Sequence, residues 1–316
     1  MQDNRETPRP SARDQRNQAR ALVVASVALT AVLVGGSLGL WALVSHRHAP
    51  APADGTDVPA VHDGDAAAEP EPQAQAAGAQ QLPADDPRAA ELALDPERQT
   101  EWSYHNNGEK VVYLTFDDGP SANTEKILDV LDQYGAKATF FVTGHEPDYR
   151  PAIRDAYLRG NTIGMHTFSH DYASVYASEQ AYFDDLDQVS QVVKEQIGYV
   201  PYLVRFPGGA SNTVSAKYSP GIMTALSQDV PARGYQYYDW NVSSSDAAGN
   251  SVPADTIVSS SCVEGYPNVM LLFHDSGAKT TTVEALPRII EFYQERGYTF
   301  APIDRSTFVV HHKVGN

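Results

Sequence analysis

The sequence has a single cysteine, Cys262, among its 316 residues, so the chain cannot form an internal disulfide. We interpret this residue as a buried, inert thiol, because nothing around it predicts the exposed, electropositive setting of a reactive one. The sequence is also short of positive charge, with a formal net charge of −17 at pH 7. A nucleic-acid partner would need a basic face, so the composition argues against one.

Charged residues are absent from 21–44, a run of 24 residues. As a helix this run would span about 36 Å, enough for a hydrocarbon core of ~30 Å. Five Arg precede it and only Arg47 follows closely, which predicts a cytoplasmic tail at 1–20 and a single-pass anchor in the cell membrane, with the rest extracytoplasmic. Gly35 and Gly39 form a GxxxG pattern, so weak helix dimerisation is a further expectation. A cleaved signal peptide is the alternative, although its apolar core is usually only about 7–15 residues long.

Aromatic residues are absent from 45–100, where Ala, Pro, Gln and acidic residues predominate. Such a composition cannot bury a core and predicts a disordered linker, whose end we place at residue 104. A short helix is expected near the end of this linker, with Asp86 as its cap and Pro87 in its first turn. The linker would let an outer domain work at a distance from the membrane.

The remainder of the chain, 105–316, is predicted to form one α/β domain. Helical patterns alternate with apolar, β-rich runs, and Gly135 and Gly297 are expected to end two of the helices. This alternation predicts a parallel sheet with right-handed crossovers, and about seven repeats favour a barrel-like closure. In such folds the chemistry collects at the carboxyl ends of the strands. The β-rich runs lie at 111–116, 138–143, 162–167, 202–206, 235–242, 269–274 and 299–303.

Five polar clusters end or follow these strands. A pair of His four residues apart, an Asp-Asp-Gly turn or an Arg at a strand end each has an ordinary structural explanation when taken alone. Five such clusters at successive strand ends are much harder to explain by structure only. The clusters are TFDDGP at 115–120, HTFSH at 166–170, RFPGG at 205–209, DWNVSSSD at 239–246 and LLFHD at 271–275.

The chemistry that these residue types allow is specific. Two neutral imidazoles and one carboxylate make a three-ligand zinc site with a position left for water, and the metal lowers the pKa of that water towards ~7. A second carboxylate can take the proton of the water, and a separate His can protonate a leaving amine or alcohol. Gly208 and Gly209 let backbone N–H groups approach a developing oxyanion. This inventory predicts metal-assisted hydrolysis of an amide or ester.

In this order, the five motifs resemble those of the polysaccharide deacetylases, the NodB homology group also called carbohydrate esterase family four. The resemblance runs from about Lys110 to Ile303. It implies a distorted seven-stranded (β/α) barrel in which a divalent metal is held by Asp118, His166 and His170. Zinc suits such ligands, although Co²⁺, Ni²⁺ or Fe²⁺ would fit them too.

The resemblance also implies roles around the metal. Asp117 would be the general base, oriented by Arg205, and His274 the general acid, oriented by Asp246. The two adjacent carboxylates should therefore diverge where the first strand ends, Asp118 onto the metal and Asp117 towards the water. The backbone N–H of Gly208 would assist the oxyanion, and the pocket for the acetyl methyl would be lined by Leu272 and Trp240.

Two positions depart from the family pattern. Ala247 follows Asp246 where many members have Trp, and Gly208 stands where an aromatic residue is common. Both changes remove aromatic groups that line the substrate groove and leave the catalytic groups in place. Other aromatic residues are therefore candidates for sugar stacking, namely Phe206, Tyr172, Tyr237 and Tyr238.

The leading functional hypothesis is a membrane-anchored N-deacetylase acting on an N-acetylhexosamine polymer outside the cell. Peptidoglycan is the expected polymer, because the anchor and linker keep the domain near the wall, and because 170–178 resembles a variant seen in wall-associated members. One alternative is an O-acetyl esterase on a polysaccharide such as xylan, and another is a catalytically silent wall-binding protein. A paired-carboxylate glycosidase is disfavoured, since Asp117 and Asp118 are too close in sequence to flank a glycosidic bond at ~5–9 Å.

Overall fold

The computed structural model describes residues 86–98, 103 and 108–316. The helices in this part of the chain are α1 (Pro87–Leu92), α2 (Thr124–Tyr134), α3 (Pro151–Leu158), α4 (Tyr172–Val175), α5 (Glu179–Ile197), α6 (Ile222–Ala232), α7 (Ala254–Ser261) and α8 (Thr280–Glu295). The strands are β1 (Val111–Asp117), β2 (Ala138–Thr143), β3 (Thr162–Thr167), β4 (Leu203–Val204), β5 (Gln236–Tyr237), β6 (Val242–Ser243), β7 (Asn268–His274) and β8 (Thr299–Phe300). Short 3₁₀ turns lie at Pro147–Tyr149, Val214–Lys217 and Asp246–Ala248.

The strands form a curled parallel sheet, as the alternation of strands and helices predicted. Seven of them follow the order β5-β4-β3-β2-β1-β7-β6, and β8 pairs with the start of β1. The central strand β1 pairs with β7 along its whole length, so Asp117 at its end lies level with His274 at the end of β7. The sheet therefore brings the carboxyl ends of its strands, and the polar motifs that follow them, to one edge.

The core is apolar on both faces of the central strands, as expected for a parallel sheet covered by helices. Phe116 of β1 stacks between Phe140 and Phe273, with ring centroids 5.2 and 5.3 Å apart. Left-handed glycines follow α2 and α8, with φ of 63° at Gly135 and 75° at Gly297, which confirms the two predicted helix ends. Cys262 is half-buried, and burial raises the pKa of its thiol.

The predicted strand at 235–242 is divided into two short strands, β5 and β6. Between them the Asp239 N–H donates to the Val310 carbonyl of the C-terminal segment at 2.9 Å. The Tyr238 N–H before it still donates to β4, at the Val204 carbonyl, whereas the Asn241 N–H after it donates to β7, at the Met270 carbonyl. Sequence periodicity could not reveal this interruption, since the partner lies about 70 residues later in the chain. The polar motif 239–246 therefore begins between two strands and ends after β6.

Residues 86–98 correct the predicted boundary of the linker at 104. Here the chain forms α1, capped by the Asp86 carboxylate as the sequence predicted, and then packs against the α/β domain. Tyr202 N–H donates to the Leu92 carbonyl at 2.9 Å, and Leu94 N–H donates to the Val200 carbonyl at 2.7 Å. The domain therefore begins well before residue 105, and Leu92 belongs to its core.

Shortening Leu92 should test whether this N-terminal segment contributes to stability. Leu92→Ala is expected to lower the free energy of unfolding by about 2–5 kcal/mol, because it leaves a cavity where a buried leucine packed. Urea denaturation of the whole protein measures the change. Glu97→Ala, in the same segment but exposed, is the control and should alter stability by no more than ~0.5 kcal/mol. Equal effects of the two substitutions would contradict the packing described for Leu92.

The predicted tail at 1–20, the anchor at 21–44 with Gly35 and Gly39, and most of the linker lie outside the described residues. Within residues 86–98, 103 and 108–316, no helix combines the length and the apolar character needed to cross a membrane.

Candidate active site

The polar motifs meet at the carboxyl edge of the sheet. Asp117 and His274 end two neighbouring strands, and His166 lies one residue before the end of β3. Arg205 directly follows β4, and Asp246 opens the 3₁₀ turn after β6. Strand order, rather than sequence order, thus decides which of these side chains lie side by side.

Asp118, His166 and His170 form a compact cluster of three metal-ligating side chains. Asp118 Oδ1 lies 3.5 Å from His166 Nε2 and 3.3 Å from His170 Nε2. Asp118 and His170 both have left-handed backbone conformations, with φ of 71° and 52°. Non-glycine residues adopt this region uncommonly, and such residues cluster at functional sites. The turn at Asp118 is what separates its side chain from that of Asp117, which stays in the strand.

The donor atoms of this cluster fit a divalent cation. Asp118 Oδ1 is buried and has no hydrogen-bond partner among the described residues, which is costly unless a cation satisfies it. His166 Nδ1 lies 2.8 Å from the Arg205 carbonyl and must donate to it, so Nε2 keeps its lone pair towards Asp118. Burial and the neighbouring His170 lower the pKa of His166 to about 3, which keeps the imidazole neutral as metal binding requires.

Asp117 is buried at the end of β1 and is held by Arg205. Arg205 Nη1 donates to Asp117 Oδ1 at 2.9 Å, while the other carboxylate oxygen lies 4.0 Å from His166 Nε2. The guanidinium itself is fixed by the Thr115 hydroxyl and by the carbonyls of Tyr238 and Asp239. Burial raises the pKa of Asp117, and the charge of Arg205 opposes that rise. A carboxylate with a raised pKa beside the cation cluster is suited to accept a proton.

His274 ends β7 beside Asp117, the last residue of β1, and is held by Asp246. Asp246 Oδ1 lies 2.8 Å from His274 Nδ1, and Asp246 Oδ2 accepts the His274 backbone N–H at 2.8 Å. Thr282 and Lys279 hold Asp246 in turn, through its carboxylate and its carbonyl. Burial alone lowers the pKa of His274, but the hydrogen bond and charge of Asp246 outweigh it and raise the pKa to about 9. His274 is therefore protonated at neutral pH, with Nε2 left to donate.

Gly208 opens the loop that faces this edge of the sheet. It is exposed, with φ of 76°, and its N–H donates to no acceptor among the described residues. The loop is fixed by the fully buried Asp239, whose carboxylate accepts the N–H groups of Ala210 at 2.9 Å and His312 at 2.7 Å. The Gly208 N–H is thus an unpaired donor on a supported loop.

Comparisons with known proteins assign the chain to a family. Residues 104–220 match the family model described as polysaccharide deacetylase. A peptidoglycan-N-acetylglucosamine deacetylase of Bacillus cereus is 33% identical over 218 residues, which are 66% of this chain and 93% of that protein. The chain belongs to the polysaccharide deacetylase family.

Two further relatives support the same assignment. The peptidoglycan-N-acetylmuramic acid deacetylase PdaA of Bacillus subtilis is 31% identical over 207 residues, which are 64% of this chain and 73% of that protein. The crystal structure of the catalytic domain of a peptidoglycan N-acetylglucosamine deacetylase from Eubacterium rectale superimposes with a TM-score of 0.65 at 46% identity. The superposition covers 70% of this chain and 100% of the Eubacterium rectale chain. The protein is thus a polysaccharide deacetylase with a curled parallel (β/α) sheet.

The three residues predicted to bind substrate have different surroundings in this deacetylase. Phe206 is only 1% exposed and packs against Tyr182 and Tyr237, so its predicted role in sugar stacking is corrected to a core role. Trp240 is half-buried and lies beside Gly209 and the Arg205 guanidinium. Leu272 lies two residues before His274 on β7 and therefore points to the same face. For Trp240 and Leu272, the contact with substrate stays a prediction.

Sequence reasoning overlooked several buried carboxylates that support the deacetylase site. Asp185 of α5 accepts the backbone N–H groups of Phe168 and Ser169 and the Ser169 hydroxyl, and so holds the loop between the two predicted histidine ligands. Asp275 accepts the hydroxyls of Ser121 and Thr124, and burial raises its pKa to about 8. For Asp275, the only sequence signal of a supporting role was its position next to His274. For Asp185, there was no such signal in the sequence.

Removing the Asp185 carboxylate should weaken the binding of metal by the deacetylase. Asp185→Asn is expected to lower Zn²⁺ affinity by about 10- to 100-fold, as is typical when a group that orients a ligand is lost, because the loop carrying His170 loses its anchor. Competition with a chromogenic chelator measures the affinity. Asp184→Asn is the matched control, because the neighbouring Asp184 is exposed and its carboxylate accepts only from Gln180 among the described residues. Unchanged affinity in Asp185→Asn would contradict the role of this carboxylate.

Proposed function

We propose that this deacetylase hydrolyses N-acetyl groups of an extracytoplasmic N-acetylhexosamine polymer, most simply peptidoglycan, with a divalent metal held by Asp118, His166 and His170. One observation carries the proposal. The cation-binding cluster adjoins two separately supported proton-transfer groups that end neighbouring strands, Asp117 held by Arg205 and His274 held by Asp246. Amide hydrolysis needs a base for the attacking water and an acid for the leaving nitrogen, and a separate side chain is in place for each role.

The residues divide the reaction as follows. When bound, the metal polarises the acetyl carbonyl and lowers the pKa of the attacking water. Asp117 accepts a proton from that water as its oxygen bonds to the acetyl carbon. The Gly208 N–H donates to the carbonyl oxygen as negative charge develops on it. His274 then donates its Nε2 proton to the amide nitrogen, the carbon–nitrogen bond breaks, and acetate and an amino sugar are released.

The division of labour follows from the opposite environments of the two groups. An amide nitrogen leaves only when it is protonated, so the acid must still carry its proton at the working pH. Asp246 provides this by raising the pKa of His274 to about 9, whereas burial raises the pKa of Asp117 and the charge of Arg205 opposes that rise. Pairs of titratable groups with opposed environments are the usual mark of an acid and a base.

Several features support peptidoglycan as the polymer and zinc as the metal. Two relatives act on peptidoglycan by their names, one on N-acetylglucosamine and one on N-acetylmuramic acid. The charge-free run at 21–44 favours a membrane anchor with the domain on the outer side. The His₂Asp ligand set suits Zn²⁺, while Co²⁺, Ni²⁺ and Fe²⁺ remain consistent with the same donors.

Acetate release from defined substrates tests the proposal. Purified protein is incubated with Zn²⁺ and with N-acetylglucosamine oligomers, peptidoglycan fragments or acetylated xylan. The molecular masses of the products are then measured by mass spectrometry. We expect each processed sugar of the first two substrates to lose ~42 Da, as metal-assisted amide hydrolysis predicts, and a chelator to abolish the loss. Fragmentation of the peptidoglycan products assigns the change to one sugar. Release from xylan alone would favour the O-acetyl esterase, and binding to wall polymer without turnover would favour the silent binding protein.

A further inference from the structure

Tyr172 lies between the cation-binding cluster and the Gly208 loop. Its ring meets that of His170 edge-on, with the centroids 5.8 Å apart. On its other side the ring meets Tyr176, with the centroids 5.4 Å apart, and Tyr176 Oη donates to the Pro207 carbonyl at 2.7 Å. The ring is therefore held in place by a metal-ligand candidate and by the residue that ties α4 to the loop.

The Tyr172 hydroxyl lies close to the Gly208 backbone. A Cβ atom at Gly208 would lie only 2.5 Å from Tyr172 Oη. Since a carbon–carbon bond is roughly 1.5 Å long, the hydroxyl oxygen lies at most about 4 Å from the Gly208 Cα. The absence of a side chain at residue 208 is thus what makes room for this hydroxyl. The Gly208 nitrogen lies one further bond of about 1.5 Å away, within roughly 5.5 Å of the phenol oxygen, so one acceptor atom can reach both donors.

The Tyr172 hydroxyl has no hydrogen-bond partner within residues 86–98, 103 and 108–316. Its oxygen is not among the fully buried unpaired atoms of this region, and the residue as a whole is only half-buried, so the hydroxyl remains accessible to a ligand. A phenol is a hydrogen-bond donor at neutral pH, since its ordinary pKa is about 10. Tyr176 beside it is different, because its hydroxyl is buried and already donates to Pro207.

We propose that Tyr172 is a further catalytic residue, whose hydroxyl donates a hydrogen bond to the acetyl carbonyl oxygen beside the Gly208 N–H. This inference rests on the proposed function, which places that oxygen at Gly208. Two donors at one oxygen stabilise the charge that develops there in the transition state, and a fixed donor does so without reorganising. The ring packs against His170, but the free hydroxyl contributes nothing to that packing.

Tyr172→Phe separates the hydroxyl from the ring. We expect kcat on N-acetylglucosamine oligomers to fall by about 10- to 100-fold, somewhat less than for the loss of a sole oxyanion donor, with KM unchanged. Zn²⁺ affinity, measured by competition with a chelator, should stay at the wild-type value because the ring beside His170 remains. Tyr218→Phe, which removes the hydroxyl of an exposed tyrosine, is the control and should leave all three quantities unchanged.

A double-mutant cycle with Gly208→Ala tests the proximity independently. The added methyl group collides with the hydroxyl in the wild-type background, but not once Tyr172→Phe has removed that oxygen, so the two losses in kcat should not multiply. Four outcomes would each overturn the inference. Tyr172→Phe could keep the wild-type kcat, change only KM, or bind Zn²⁺ more weakly, or the losses in kcat of the two single variants could multiply fully in the double variant. Failure of the wild-type protein to release acetate from any substrate would instead contradict the proposed function.

Discussion

Asp117→Asn is expected to lower kcat by about 10²- to 10⁴-fold, the usual contribution of a general base, while the protein keeps its metal. Asparagine has the shape of aspartate and can still accept the Arg205 hydrogen bond, but it cannot take a proton from water. The three candidate ligands are not altered by this change. Turnover on N-acetylglucosamine oligomers and elemental analysis of the purified variant measure the two effects.

The neighbouring Asp118→Asn is the matched comparison and should differ from Asp117→Asn in losing metal as well as turnover. Its Oδ1 faces both His166 Nε2 and His170 Nε2, so loss of its charge should lower metal occupancy and turnover together. Asp117→Asn leaves the buried Arg205 without its charged partner, so thermal unfolding must show that the variant is folded at the assay temperature. Equal metal loss in the two variants would contradict the separate roles assigned to the adjacent carboxylates.

The second large effect is expected from Asp246→Asn, which removes the charge that keeps His274 protonated. Without that charge, burial should hold the pKa of His274 at or below its ordinary value of about 6.5 instead of about 9. An acid is active only while protonated, and its protonated fraction falls as the pH rises through its pKa. The alkaline limb of the pH–kcat profile should therefore move to lower pH, and kcat at pH 8 should fall by at least about 30-fold, because the protonated fraction drops from roughly 0.9 to about 0.03.

The pH–kcat profile from about pH 5 to 10 checks this prediction. Asp255→Asn is the control, because it neutralises an exposed carboxylate that pairs only with exposed Arg288 among the described residues. The acid limb reports groups that must be deprotonated, such as Asp117, and should move much less in Asp246→Asn than the alkaline limb. An alkaline limb that stays in place would show that Asp246 does not set the protonation of His274.

Local sequence signals were enough to place the central strands and the motifs that follow them. The runs at 111–116, 138–143, 162–167 and 269–274 are strands within one residue of the predicted bounds. Strands buried on both faces are rich in apolar residues, which is clearest at 111–116, 138–143 and 269–274 and weaker at 162–167. Polar residues at the ends of such strands are easy to recognise in the sequence, because the residues before them are mostly apolar. The sequence also predicted the Asp86 cap of α1, since a cap and the proline after it are a purely local pattern.

Contacts between distant parts of the chain decided what the sequence could not. Phe206 was expected to stack on sugar but is buried, because Tyr182 and Tyr237 reach it from α5 and β5. Asp185 and Asp239 became supports of the site because tertiary packing brings loop N–H groups to their carboxylates.

The sequence by itself thus determined the strands, the motifs and the class of chemistry, all of which depend on short stretches of chain. The tertiary structure decided which side chains face the site and which hold its loops in place through hydrogen bonds. The Tyr172 hydroxyl is an example, since its position beside Gly208 depends on a glycine 36 residues away and on the curl of the sheet between them. Such positions follow from packing in three dimensions, which no local pattern records.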